Sequence, residues 1–445
     1  MKTETKKAHV VDVNMGYGHS RAAWPLRDLS GGEVISANEY RGIPTEDKKL
    51  WRQSRELYET ISRLKPIPLF GKFLFEAMDY LQEIPSFYPR RDLSEPNLQL
   101  KQLYRYIQKH EMGRDLVETL AKNPLPLVTT FFLPAFAAEH FDYPGEIYCV
   151  TCDADISRTW APLNPQKSRI KYFASNGRVV ERLKLYGVRE ENIFLTGFPL
   201  PKELIGGSKS GALKDLLAER LVNLDPKNIF RSRYKNVLLK EFGWNRLRRR
   251  PNHPLTITYS VGGAGAQKAL GVQVLKSLKK HILKDEIRLN LIAGTRHDVA
   301  KYYREAAEEI GLKQHQGDGL YIPTFDSRAK YFDGFTEILK NTDILWTKPS
   351  ELSFYTGLGL ALVMAPPIGS QEEFNRLWLR YVGGGVAQDD PRYTDEWLFD
   401  WINSGGLARM AWSGYIEAPT HGTYRIEEIV LGRRQSELER LPLIV

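Results

Sequence analysis

The chain has 445 residues, 42% of them hydrophobic, and a formal charge of +9. That is enough apolar content for two ordinary domain cores, and it excludes a disordered or fibrous chain. No run of about 18 or more apolar residues offers a membrane-spanning helix, and the N-terminal MKTETKKAHV lacks the apolar core of a secretory signal, so a cytoplasmic globular protein is expected.

Residues 9–13 (HVVDV) predict a short buried strand. It ends at Gly16-Tyr17-Gly18-His19, and Ser20, Arg21, Ala22 and Ala23 then predict a helix. Strand, glycine turn and helix in that order open a doubly wound domain. His19 has two readings, a histidine with a chemical task or a loop histidine that caps a helix. Residues 50–110 read as helix-rich, with Trp51, Leu57, Tyr58, Ile61 and Leu64 on one side of a helix. Within them Phe70, Phe73, Leu74, Phe75, Met78 and Tyr80 are flanked by Lys65 and Lys72, which suits either a core or a lipid-facing surface.

Residues 125–132 (LPLVTTFF) and 147–153 (IYCVTCD) predict two further strands, with a helix from Pro134 to His140 between them. Cys149 and Cys152 are spaced C-x-x-C, yet no second pair or histidines stand near them, which favours core thiols over a structural zinc site. Asp153 and Asp155 follow the strand, as a base, as metal ligands or as solvated turn carboxylates. Strand, helix and strand patterns continue to Pro201, so the first domain is expected over residues 1–201. A basic linker or insertion over 202–253 follows. In it Phe230, Tyr234, Leu238 and Phe242 line one helical face, and eight Lys or Arg stand against the single acid Glu241 between residues 229 and 250. Such a segment suits phosphates of an anionic membrane or of nucleic acid, or it is a solvated helix packed on its own domain. No nucleic-acid recognition motif accompanies it, and nucleic acid is not the expected partner.

The second domain is expected over 254–392. Residues 255–259 (LTITY) lead into Gly262-Gly263-Ala264-Gly265-Ala266-Gln267, where backbone amides can approach a pyrophosphate. Residues 288–293 form the next strand, with Arg296 just beyond it, as a nucleotide contact or a surface arginine. The stretch from Asp343 to Asn375 gives a buried strand ending at Lys348-Pro349-Ser350, a helix with Leu352, Tyr355 and Leu358 on one side, an apolar strand over 360–365, and the loop that leads to Gln371, Glu372 and Asn375. Ligands of open parallel sheets sit at the carboxyl ends of strands, so both loops are placed to line a site. The tail over 393–445 is expected to be helical, with Trp397, Trp401 and Trp412 packing across a cleft between the domains. The fold class is therefore α/β, with two Rossmann-like domains facing a cleft.

The order of these strings resembles the inverting, nucleotide-sugar-dependent glycosyltransferases of the GT-B fold. That family includes monogalactosyldiacylglycerol synthase, processive diacylglycerol glucosyltransferases and the lipid-linked N-acetylglucosaminyltransferase of peptidoglycan synthesis. DILWTKPSELS is similar to the family's D-x-L-x-T-K-P-G-G-L-T, and PPIGSQEEFN to its P-x-P-G-Q-E-x-x-N. The first loop resembles its G-x-G-H-x-x-A-A, and CDADISRTW its T-D-x-x-x-H-x-x-W, with Ser157 in place of the histidine. Ser350 and Glu351 replace two glycines, and Thr356 stands where a ribose-binding glutamate falls. The resemblance implies transfer of a sugar from a UDP-type donor to a lipid or lipid-linked acceptor, with no required cofactor or metal and with peripheral contact at the inner face of a membrane. It implies His19 as base with Asp153 as alternative or orienter, and Gly16 and Gly18 in the acceptor loop. Gly263, Gly265, Arg296, Lys348, Ser350, Thr356, Gln371, Glu372 and Asn375 are the implied donor contacts. A nucleotide-sugar epimerase of the same architecture, or a binding or regulatory protein that has lost catalysis, remain the alternatives.

Overall fold

The computed structural model describes residues 6–52, 84–247, 250–262, 265, 267–367 and 369–433. The aromatic segment from Phe70 to Tyr80 lies outside the described residues, as do Gly263, Arg248 and Arg249. The chain divides into two compact units. The first comprises the residues up to Leu200 with Ile368–Asn375 and the segment from His421; the second comprises Pro201–Pro367 and Arg376–Thr420.

Among the described residues, the first unit holds a six-stranded sheet in the order β2-β1-β3-β4-β5-β6, every pairing parallel. Its strands are β1 (His9–Asp12), β2 (Ile35–Ser36), β3 (Leu127–Thr129), β4 (Ile147–Val150), β5 (Lys171–Ala174) and β6 (Ile193–Leu195). Alternate residues of these apolar runs feed opposite faces, as the period of two requires. Val11, Leu127, Cys149 and Tyr172 pack on one side, and Val10, Val128, Val150 and Phe173 on the other. Both cysteines are buried free thiols, and burial pushes the Cys149 thiol up, away from reactivity.

The second unit repeats the plan in the order β12-β11-β10-β7-β8-β9, again all parallel. Its strands are β7 (Leu255–Ser260), β8 (Ile287–Ile292), β9 (Leu320–Tyr321), β10 (Ile344–Thr347), β11 (Ala361–Met364) and β12 (Gly385–Ala387). The basic segment packs on this unit's own core through Leu217, Leu221, Phe230, Leu238 and Phe242. Its predicted apolar face is thus taken up by the fold. Leu398, Ile402, Leu407 and Ala411 enter the same core, with Trp397, Trp401 and Trp412 packed against it.

The crossover from β10 to β11 departs from the expected α-helix. Glu351–Leu358 forms a 3-10 helix with all eight residues buried, stopped by Gly359 at φ 66°. The connection is short and enclosed on every side, which favours the narrower winding over an amphipathic helix with a wet face.

Buried charges fasten the basic segment to the start of β10. The fully buried guanidinium of Arg220 donates to the carbonyls of Leu339, Thr342 and Leu358. Next to it Asp343 accepts from Thr256 N at 2.8 Å and from Asn223 Nδ2 at 3.0 Å, with His253 Nδ1 3.7 Å away. Burial outweighs these partners and pushes the Asp343 carboxyl up to about 6. The folded chain therefore keeps a proton that the unfolded chain releases as pH rises from about 4 to about 6, so this group's contribution to stability falls across that window. For Asp343→Asn, urea unfolding measured from pH 4 to pH 7 should show the variant gaining up to about 3 kcal/mol relative to the parent between pH 4 and 6 and nothing further above.

Candidate functional site

In an open parallel sheet, the two loops that diverge where the strand order reverses leave a crevice at the carboxyl ends. The first sheet reverses between β1 and β3, the second between β7 and β10. His19 lies at the first of these places and Lys348 at the second.

In the first unit, β1 runs into Gly16, whose φ of 91° suits glycine and which has open space around it, and then into the short helix Gly18–Ala23. His19 lies in that helix, half-buried, with Nδ1 2.8 Å from the carbonyl oxygen of Thr130 just past β3. A carbonyl can only accept, so Nδ1 carries the proton and Nε2 presents the lone pair. Thr130 Oγ1 returns a hydrogen bond to the His19 carbonyl at 3.0 Å, which clasps the two diverging loops together. Phe131 meets the imidazole edge-on at a centroid distance of 4.8 Å, and Trp160 stands 6.3 Å away.

Asp153 follows β4, the next strand along. Its Oδ1 accepts from Asn375 Nδ2 at 3.0 Å, while Asn375 Oδ1 accepts from the Ala154 amide at 2.7 Å. The structure thus brings together two site residues 222 positions apart. Asn375 is fully buried, with both ends of its amide on the β4 loop. Gln371 (half-buried) and Glu372 (buried) precede it on the helix Ser370–Tyr381 and group with the first unit.

Asp155 is neither solvated nor offered to a metal. Fully buried, it receives a two-pronged bond from Arg182, 2.8 Å at each oxygen, and a third from Arg178 Nε at 2.6 Å. Phe87 lies under both guanidinium groups. Burial works against the Arg182 charge, yet the Asp155 hydrogen bonds hold the guanidinium above its usual value. This cluster stiffens the turn that carries Asp153.

In the second unit, Gly262 follows β7 and Lys348 follows β10, so they meet where the sheet reverses. A Cβ on Gly262 would fall 2.8 Å from Lys348 Cε and 3.6 Å from its Nζ; the missing side chain is what lets the lysine lie across the loop. On the other side of the loop, Gly265 turns at φ 66°, and a Cβ there would sit 3.0 Å from Val299 and 3.9 Å from the Arg296 guanidinium. Arg296 forks onto Asp298 at 2.9 Å through two nitrogens, and that bond holds the exposed Asp298 carboxyl below its usual range. Gln267 Nε2 donates to the Pro366 carbonyl beyond β11 at 2.9 Å. A glycine turn bracketed by a lysine and an arginine can receive an anion of two linked phosphates.

Two sequence candidates in the β10–β11 crossover take different places. Ser350 is half-buried at the start of the 3-10 helix. Thr356 faces the interior: its Oγ1 donates to the Gly384 carbonyl at 3.2 Å, and a Cβ on either Gly384 or Gly414 would come within 2.0 Å of it. A ribose contact from that hydroxyl has no room, because it fills the space those two glycines leave. Sequence reasoning passed over Ser353, whose buried hydroxyl has no hydrogen-bond partner in the structure. Its signal was the final threonine of the T-K-P-G-G-L-T pattern, which Ser353 matches in chemistry. The Thr130 carbonyl carries no side-chain signal at all.

No protein-family model and no curated protein matches this chain. Among solved structures, S. aureus MnaA with UDP is similar at 13% identity over 96% of this chain and 96% of that one, with a TM-score of 0.46. Acinetobacter baumannii MurG is similar at 12% identity over 96% of this chain and 100% of that one, with a TM-score of 0.44. The UDP-GlcNAc 2-epimerase from Neisseria meningitidis bound to UDP-GlcNAc follows at 12% identity over 77% and 84%, with a TM-score of 0.44. At these scores the likeness lends nothing to an assignment of activity, which rests on the chain's own side chains.

The Asp155 cluster makes a direct prediction. Asp155→Ala leaves the fully buried Arg182 without its counter-charge and should cost about 3–5 kcal/mol in denaturant unfolding. A loss below about 1 kcal/mol would mean that the cluster is not what holds this turn.

Proposed function

We propose that this protein is a glycosyltransferase that takes a sugar from a UDP-type nucleotide donor and passes it to a hydroxyl of a lipid or lipid-linked acceptor. The observation that carries the proposal is the second unit's reversal point, where the Gly262–Gly265 turn lies between Lys348 and Arg296. A diphosphate leaving group needs its growing charge met by groups held in place beforehand, and Lys348 and Arg296, on either side of this turn, are the cations proposed to meet it. The choice of uridine rests on the resemblance of the T-K-P and Q-E-x-x-N strings, not on a base pocket.

His19 is the proposed base. Its tautomer, set by the Thr130 carbonyl, leaves Nε2 as the acceptor of an acceptor-hydroxyl proton as the oxygen attacks the anomeric carbon. After the proton moves, Nδ1–H still donates to the carbonyl. Asp153, with one oxygen held by Asn375, is the proposed orienter or alternative base. Lys348, Gly265 and Arg296 are the proposed diphosphate contacts, and Ser350 and Gly263 are further donor candidates from the sequence motif. Gly16 and Gly18 shape the loop that presents His19.

Calorimetric titration with UDP, without added metal, tests the donor site first. Binding should be weakened about 10- to 100-fold by Lys348→Ala and left unchanged by His19→Ala. Equal binding by the parent and Lys348→Ala would remove this lysine from the site.

Turnover tests the reaction. His19→Ala should lower sugar transfer by about 10²- to 10⁴-fold. Incubated with a UDP-sugar and no acceptor, the protein should leave the sugar's configuration unchanged; conversion of the sugar in that control would instead identify an epimerase. Nucleotide binding with neither outcome, across a panel of lipid acceptors, would favour a binding protein.

A further inference from the structure

The basic segment has two faces, and only one is used by the core. Phe230, Leu238 and Phe242 are buried, whereas Ile229, Val237 and Trp244 are 47%, 51% and 51% exposed. Among the described residues from 226 to 250, the exposed charged side chains are Lys227, Arg233, Lys235, Lys240 and Arg250, and none of these five makes an ion pair. The acids that approach the segment are already held. Glu241 is bound by Lys214 and Tyr415, Asp215 by Arg246, and buried Asp225 by Arg231 and two backbone amides.

Two of the exposed groups meet across a break in the helix. On a straight helix, Lys235 and Trp244 would be about 13 Å apart. Gly243 breaks the helix at φ 74° and ψ 164°, and Trp244 comes back so that the Lys235 ammonium stands 5.7 Å from its ring. Phe242, the residue before the break, stays inside with Trp412 at 5.7 Å. One residue thus sends the neighbouring aromatics in opposite directions, one inward and one outward beside a lysine.

We infer that this strip docks the protein peripherally on an anionic lipid bilayer, with Ile229, Val237 and Trp244 entering the interface and Lys227, Arg233, Lys235, Lys240 and Arg250 meeting the headgroup phosphates. Aliphatic residues and an exposed tryptophan among cations, with Glu241, Asp215 and Asp225 already paired, are the composition of an interfacial surface. A nucleic-acid face would use the cations but would gain little from exposed Ile229 and Val237. The inference stands on its own, independently of the donor and of the reaction.

The full chain is sedimented, without nucleotide, with vesicles of phosphatidylcholine alone and with vesicles containing about one-third phosphatidylserine. Binding should appear only with the anionic vesicles and weaken as salt is raised. Lys235→Gln with Lys240→Gln should weaken it about 25-fold. Ile229→Ser, Val237→Ser and Trp244→Ser together should weaken it about tenfold or more, with thermal unfolding unchanged because all three side chains are exposed. The inference is overturned if anionic vesicles do not bind, or if the triple serine variant binds them as the parent does. Binding of an oligonucleotide that depends on Lys235 and Lys240 while the vesicles stay unbound would overturn it in favour of a nucleic-acid face.

Discussion

Everything that can act on a ligand here depends on the parallel strand order. A sheet whose strands all point one way delivers every following loop to the same edge, and a single reversal in the order parts two of those loops. The first sheet parts the loops after β1 and β3, the second those after β7 and β10. His19 and Thr130 occupy the first reversal, Gly262 and Lys348 the second. The strands themselves, largely apolar, fix where the loops emerge.

Around these loops, buried charge takes the part that apolar packing cannot. Asp155 with Arg178 and Arg182 braces the turn after β4, and Arg220 gathers two carbonyls before β10 and the Leu358 carbonyl before β11. Arg182 reaches both oxygens of Asp155 and Arg220 reaches three carbonyls, which a methyl group cannot do and which fixes the chain in one register. Burying such groups is costly in isolation, as the raised Asp343 carboxyl shows. The expense falls after β4 for Asp155 and before β10 for Asp343.

Strands buried on both faces were plain in the sequence, because continuous apolar runs between turn residues have few other readings. HVVDV became β1, LTITY most of β7, and the run before Lys348 became β10. The crossover after β10 was not, since Leu352, Tyr355 and Leu358 repeat at helical spacing whether or not the opposite side meets water. Nothing local marks Thr356 as a space-filler between two glycines, 28 and 58 residues downstream, that only folding brings near. The same holds for Asp155, whose partners lie 23 and 27 residues on. The loops could be nominated from motifs; which of their side chains face outward could not, because that depends on partners far along the chain.

The bond between His19 and Thr130 has a consequence for how such a chain can vary. Its acceptor is a main-chain carbonyl, which every amino acid possesses, so no replacement at position 130 deletes it. A histidine oriented by a carboxylate loses its bearing when that one side chain changes. Here the bearing is inherited from the path of the backbone, and sequences can drift widely around this loop while Nδ1 keeps its acceptor.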